Sequence, residues 1–232
     1  MIELRGIRKT WGAGSMAQPV ARNITHTFPK GSAVGLLGGN GAGKTSLLYM
    51  ISGTVKPDRG RVIRHGTVSW PIGQSGSFHR KLTGVQNLRF VARIHGIDSD
   101  ALLDFVQDFT EIGRQINAPL VHFSSGMRAR LSFAISIGIH FDTYLIDEVT
   151  AVGDARFREK CRAALAARLE TSGMILVSHS RKQIRQLCTS AVVLHRGKLT
   201  PFDDVREALA HHAHLLGVPE NRRKGTQDPV PA

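Results

Sequence analysis

The chain has 232 residues, 41% of them hydrophobic, with two cysteines and 31 basic against 18 acidic residues, for a formal net charge of +13. That length and apolar content predict one domain with a proper core, or a domain with an inserted lobe. They exclude a bilayer-spanning helix, because the longest apolar runs, at Ala33 to Leu37 and Met174 to Val177, fall far below the length required.

The charge points to nucleic acid or an anionic membrane surface as a partner. A solvated basic surface explains it as well, since the charges are scattered and the tight run is Arg222-Arg223-Lys224, in a polar, proline-bearing tail. The N-terminus shows no charged-then-apolar signal pattern. Cys161 and Cys188 have no metal-ligand spacing and read as thiols of a reduced, cytosolic protein.

In chain order, Ile2 to Lys9 and Ile24 to Phe28 read as short strands, separated by a loop bearing Gly12 and Pro19. Ala33 to Leu37 reads as a buried strand that feeds Gly38-Gly39-Asn40-Gly41-Ala42-Gly43-Lys44-Thr45-Ser46, and Leu47 to Ile51 reads as the start of a helix. Arg61 to Arg64 and Thr67 to Trp70 are strand-like, after a turn at 56–60. Helical periodicity then takes over across 84–140, with segments at Asn87 to His95, Ala101 to Ile112 and Ser125 to Ile139. Alternation resumes with a strand at Tyr144 to Ile146, a helix at Arg156 to Glu170, a strand at Met174 to Val177 and a helix at Arg181 to Leu187. A strand at Ala191 to Leu194 and a helix at Asp203 to Leu216 close the pattern. Strands alternating with helices predict a largely parallel sheet covered on both faces.

A glycine-rich turn between strand and helix, ending in Gly-Lys-Thr, is the context of a phosphate-binding loop. Its backbone N–H groups curl around an anion and the helix N-terminus adds partial positive charge. Lys44 would neutralise the β- and γ-phosphates and the Thr45 hydroxyl would ligate Mg²⁺. Asp147 and Glu148 end an apolar strand; the first carboxylate would hold Mg²⁺ through water and the second would polarise a hydrolytic water. Ser124-Ser125-Gly126-Met127 opens a helix, where either serine also serves as an ordinary cap. His211, His212 and His214 read as a solvated helix face rather than a metal site. Trp70 and Phe78 read equally as core or as a surface for a partner.

The order and spacing of these motifs resemble the nucleotide-binding subunits of ATP-binding cassette (ABC) transporters. Ser124 to Met127 is similar to the family's signature, Ala151-Val152-Gly153-Asp154 to its D-loop, and Val177-Ser178-His179-Ser180 to its switch-histidine segment. Gln74 falls at the glutamine loop and Trp11 where an aromatic stacks on adenine. Ser69-Trp70-Pro71, Arg89 to Arg93, Ser124 to Arg130 and Asp147 to Phe157 resemble more narrowly the subunits that export capsular polysaccharides, over about Met1 to Gly197, with Val149 in place of proline typical of that branch.

The resemblance implies an α/β fold of the P-loop NTPase, RecA-like type: a mostly parallel sheet, an antiparallel β part and an inserted α-helical subdomain. In it 1–83 and 141–202 form the nucleotide-binding core, 84–140 the signature subdomain and 203–232 a C-terminal helix and tail. It implies ATP and Mg²⁺ as cofactors. Gln74, Lys44, Glu148 and His179 would be catalytic, with Gln74 joining Thr45 and Asp147 around the metal. Ser124, Ser125, Gly126 and Asp154 would reach ATP in trans, across a head-to-tail homodimer. It implies separately encoded membrane permeases, a place on the cytoplasmic face of the bacterial inner membrane, and no nucleic-acid partner. A nucleic-acid-associated ABC ATPase is the second reading; the chain lacks the coiled coils and second cassette of those relatives. A non-hydrolysing regulatory cassette is the third.

Overall fold

In the computed structural model, residues 1–72, 78–147 and 154–217 are described. Gln74, Glu148, Ala151, Val152, Gly153 and the Arg222-Arg223-Lys224 run lie outside the described residues.

Three antiparallel strands form the smaller sheet, in the order β2-β1-β4: β1 (Ile2–Trp11), β2 (Gln18–Phe28) and β4 (Arg59–Arg64). Ile2 and Leu4 are buried in step, but the next buried residue is Ile7, one position off a strict alternation. A shift in pairing between Leu4 and Ile7, with Gly6 at φ +59°, resets the face. Strand β2 begins at Gln18, well before the expected Ile24, and includes Pro19. Proline fits because β2 is an edge strand, where a missing N–H leaves no ladder bond broken.

The larger sheet runs β5-β6-β7-β3-β8-β9. Its strands β3 (Ala33–Leu37), β5 (Val68–Ile72), β6 (Thr143–Asp147), β7 (Gly173–Val177) and β8 (Ser190–His195) are parallel where they pair. Strand β9 (Lys198–Phe202) returns antiparallel along β8. The sequence gives little sign of β9, which is half exposed and carries Pro201 on the sheet edge. Its hairpin turns on Arg196 and Gly197, both at positive φ, the two-residue geometry whose twist matches the flanking strands.

Helices α1 (Lys44–Ser52), α5 (Ala155–Leu169), α6 (Arg181–Leu187) and α7 (Val205–Leu215) follow strands of the larger sheet, and α2 (Gly84–Ile94), α3 (Ser99–Thr110) and α4 (Ser125–Gly138) form the helical stretch. Thr83 and Gln86 start α2 with reciprocal bonds to each other's backbone, a capping box. The far end of α1 is closed by Arg64 of β4, whose guanidinium donates to the Met50 and Ile51 carbonyls. A buried cluster joins the helical stretch to the sheet without a break, from Leu88, Val106 and Leu131 to Tyr144 and Leu176. A second packs β1, β2 and α1 against the sheet's other face. Trp70 packs edge-on to Phe141 at 5.7 Å, on the core side of its two expected roles, and Phe78 is partly buried against the same core.

Candidate functional site

The centre of the larger sheet fixes the site. Strands β6, β7 and β3 are consecutive neighbours, all parallel, so the segments leaving their C-terminal ends emerge side by side, where ligands bind in open α/β sheets. The loop of Gly38 to Gly43 leaves β3, Asp147 ends β6, and Ser178-His179 follows β7.

The loop takes its shape at Gly43, the residue before α1, at φ +99°. An L side chain resists that backbone, and a Cβ placed there would stand 2.7 Å from Cβ of Val20 on β2. Gly43 also has no side chain to cap α1, so the positive end of the helix is left for an anion. Gln18 of β2 reaches the Gly41 carbonyl at 3.5 Å, and the Trp11 indole donates to Ser46 Oγ at 3.0 Å. The Trp11 ring is half exposed, with the Lys9 ammonium 4.9 Å from its centroid. Asn40 and Gly41 stand in solvent.

Lys44 is folded back: its ammonium donates to the carbonyls of Gly38 at 2.8 Å and Gly39 at 3.0 Å. Thr45 Oγ1 donates to Asp147 Oδ2 at 3.1 Å, from α1 across to β6. A hydroxyl and a carboxylate oxygen held this close are hard donors of the kind Mg²⁺ takes alongside phosphate oxygens. His179 is exposed beside them, and its segment is tied down by Ser178 Oγ, bonded to Gln183 Oε1 at 2.7 Å and to the Ser180 N–H at 3.0 Å.

The structure thus brings together Trp11, the loop from Gly38 to Ser46, Asp147 and His179. It does not join Ser124, Ser125 or Gly126 to that loop: among the described residues no hydrogen bond links them. Ser124 caps α4 instead, accepting from the Met127 N–H at 3.1 Å, while both serines are exposed. A Cβ on Gly126 would meet only Ser124 Oγ, at 3.8 Å, so the start of α4 lies open to an approaching group. Asp154 caps α5 through the Phe157 N–H at 2.9 Å and pairs with Arg130 at 2.8 Å. Its carboxyl is held below the usual range, first by the Phe157 bond and then by the Arg130 charge.

Sequence reasoning missed the C-terminal helix as a neighbour of this loop. Leu216, just past α7, lies 3.3 Å from where a Cβ on Gly39 would be, and His212 on α7 faces the Gly38 backbone. The expected solvated histidine face is therefore corrected at His212, whose Nε2 is buried. The one available signal was the apolar spacing of Val205, Ala208, Leu209 and Ala213, which turns His212 inward. Cys161 and Cys188 are free and buried, with both thiols pushed up to about 12 by burial.

Known proteins match this arrangement. A family model described as ABC transporter matches residues 21–151. The chain is 40% identical over 215 residues to the capsule polysaccharide export ATP-binding protein CtrD of Neisseria meningitidis serogroup B, covering 93% of this chain and 100% of that protein. It is 41% identical to the ATP-binding protein BexA of Haemophilus influenzae, covering 91% and 98%. It is 40% identical to the polysialic acid transport ATP-binding protein KpsT of Escherichia coli, again covering 91% and 98%. A solved dimeric ATP-binding cassette in a post-hydrolysis state, bound to ADP and Pi, superposes with TM-score 0.74 over 89% of this chain and 99% of that one. At 19% identity that likeness is one of fold.

Proposed function

The chain belongs to the ABC transporter family and is an ATPase, and from that premise we propose that it is the subunit whose ATP hydrolysis drives export of a capsule-type polysaccharide across the bacterial inner membrane. The observation that carries the catalytic part is the convergence of Lys44, Thr45 and Asp147 at the ends of β3 and β6. The polysaccharide part is supported by the CtrD and KpsT relatives, matched over nine-tenths of the chain.

Lys44 turns from the loop carbonyls to the β- and γ-phosphates, and Trp11 offers its exposed ring to the adenine. Thr45 and Asp147, with Gln74, would hold Mg²⁺, which when bound supplies positive charge against the phosphate oxygens. Glu148 polarises the attacking water and His179 binds the γ-phosphate. Ser124, Ser125 and Gly126 of a second copy close the site, with Asp154 beside them. One copy alone leaves the γ-phosphate half in water; a second helix N-terminus completes the anion site and excludes it. ATP then holds two copies together and hydrolysis parts them, a shift in populations driven by binding. No described helix is long and apolar enough to cross a membrane; in this reading the permease is a separate chain, and the ATPase sits on its cytoplasmic side.

The test is the ATPase rate per chain against protein concentration, beside Glu148→Gln. A rate that climbs with concentration and vanishes in the variant supports composite sites. A concentration-independent rate from a monomer overturns them. Export is tested in a capsulated bacterium lacking its own ATP-binding subunit: this chain, with that host's permease, should restore surface polysaccharide, and Lys44→Ala should not.

A further inference from the structure

Lys9 and Asp58 have no part in the mechanism above, yet they decide which way the Trp11 ring faces. Strand β1 outruns its neighbour: its last pair with β4 is Arg8 with Arg59, so Lys9, Thr10 and Trp11 extend past the start of β4. Asp58, just before β4, fills the gap. Its own N–H donates to the Arg8 carbonyl at 2.8 Å, its Oδ2 accepts the Thr10 N–H at 2.8 Å, and its Oδ1 accepts the Lys9 ammonium at 2.7 Å. On the opposite side, Trp11 pairs with Gln18 of β2.

These contacts set the Lys9 ammonium over the Trp11 ring, 4.9 Å from its centroid. The indole N–H is tied in turn to Ser46 Oγ at 3.0 Å, which pins one edge of the ring to the first turn of α1. The Lys9 side chain is 14% exposed, so it is held between ring and carboxylate rather than free in water. Trp11 is 43% exposed, and with one face under the ammonium the open area belongs to the other.

We propose that Lys9, anchored by Asp58, is a positioning residue for the nucleotide base: it backs one face of Trp11, so that adenine stacks on the opposite face of a ring already fixed in place. The proposal rests on the reading that Trp11 receives the adenine. A loose indole at a strand end would have to be ordered when the base arrives, whereas a ring already held avoids that loss. A cation also draws π-electron density toward its own face. The far face is left less negative, and it repels the electron-rich face of a stacked adenine less. The Asp58 carboxyl is held below the usual range, by the Lys9 bond first and then by the Thr10 N–H, so the pair stays charged at neutral pH.

Two substitutions at Lys9 separate charge from bulk. Lys9→Met keeps a stem of similar length without the ammonium, and Lys9→Arg keeps a cation that lies well on aromatic faces. Calorimetry should find ATP bound about fivefold more weakly by Lys9→Met, with KM raised in step and kcat at saturation near wild type. Lys9→Arg should recover most of the affinity. Tripolyphosphate, which carries the phosphates without a base, should bind wild type and Lys9→Met alike. In a Trp11→Ala background, Lys9→Met should change ATP affinity no further, because Lys9 acts through the ring. Wild-type ATP affinity in Lys9→Met, a matching loss for tripolyphosphate, or an undiminished loss in the absence of Trp11 would each overturn the proposal. Trp11→Ala alone tests the reading beneath it, and should bind ATP roughly ten- to a hundredfold more weakly. If it binds ATP like wild type, base stacking itself fails; if it loses affinity while Lys9→Met does not, only the role of Lys9 fails.

Discussion

Arg130 on α4 and Asp154 at the start of α5 form an ion pair, Nη2 to Oδ2 at 2.8 Å, with the Arg130 guanidinium also lying over the Phe157 ring at 4.4 Å. The pair links the helix opened by Ser124 to the segment that follows the Asp147 strand. Asp154 is exposed, so the pair in itself contributes little to stability. Its geometric effect is larger, because the same carboxylate caps α5. Asp154→Asn keeps an acceptor for the Phe157 N–H but loses the charge. Its melting temperature should stay near wild type while ATPase activity falls, whereas Asp154→Ala should lower both. Thermal melts and turnover measured together check this, and an Asp154→Asn variant with full turnover would show that the link is only a cap.

Gly43 is the loop position least able to accept a side chain. Gly43→Ala must hold an L residue near φ +99° and press its Cβ on Val20 at 2.7 Å. Strain of this kind costs roughly 1–3 kcal/mol. We expect a lower melting temperature and weak ATP binding together. Lys44→Ala separates the two effects. It should melt near wild type, yet bind ATP roughly ten- to a hundredfold more weakly, the equivalent of one charge-assisted hydrogen bond.

The site was legible where chemistry is written locally. A Gly-Lys-Thr between a buried strand and a helix, and Asp147 closing an apolar strand, each announce themselves within a few residues. The β9 edge strand was not legible, because Pro201 and an exposed face erase the strand pattern. Nor was the early start of β2, since a proline reads as a break until its strand is known to be an edge. His212 was hidden for a different reason. Its partner Gly38 lies across the whole domain in sequence, and no local periodicity reports which loop a helix end will meet.

Acid should weaken the fold in a definite window. His26 on β2 is held below the usual histidine range by burial, with its ring edge-on to Phe28 at 4.6 Å. A group whose folded pKa is depressed binds fewer protons when folded, so folding loses stability as pH falls through the unfolded value of 6.5. Melting temperature should therefore be flat above neutrality and decline below about pH 6.5. His26→Phe keeps the ring contact and removes the proton, so its decline should be shallower. An identical slope would place the acid sensitivity elsewhere.

The thiols offer a probe of the closed fold. Burial pushes both Cys161 and Cys188 up to about 12, so almost no thiolate exists at neutral pH. Native protein should resist a maleimide over hours and react fully once unfolded. Rapid labelling of the native chain would mean that α5 or α6 opens far more often than their packing implies.

Two crippled chains should rescue one another if the site is shared between copies. Lys44→Ala removes the phosphate cation, and Gly126→Glu places a carboxylate where a second copy's γ-phosphate would arrive. The latter should fold well, because a Cβ on Gly126 meets only Ser124 Oγ at 3.8 Å and an acid suits a helix N-terminus. Each variant alone should hydrolyse no ATP, since every composite site contains one defect. In a mixed pair both defects fall in the same site, which leaves the other with an intact Lys44 from one chain and an intact Gly126 from its partner. Activity absent from either preparation should appear on mixing them and track the fraction of mixed pairs. If each chain instead used its own Gly126, mixing would recover nothing, and the two halves of the site would have to meet within one chain.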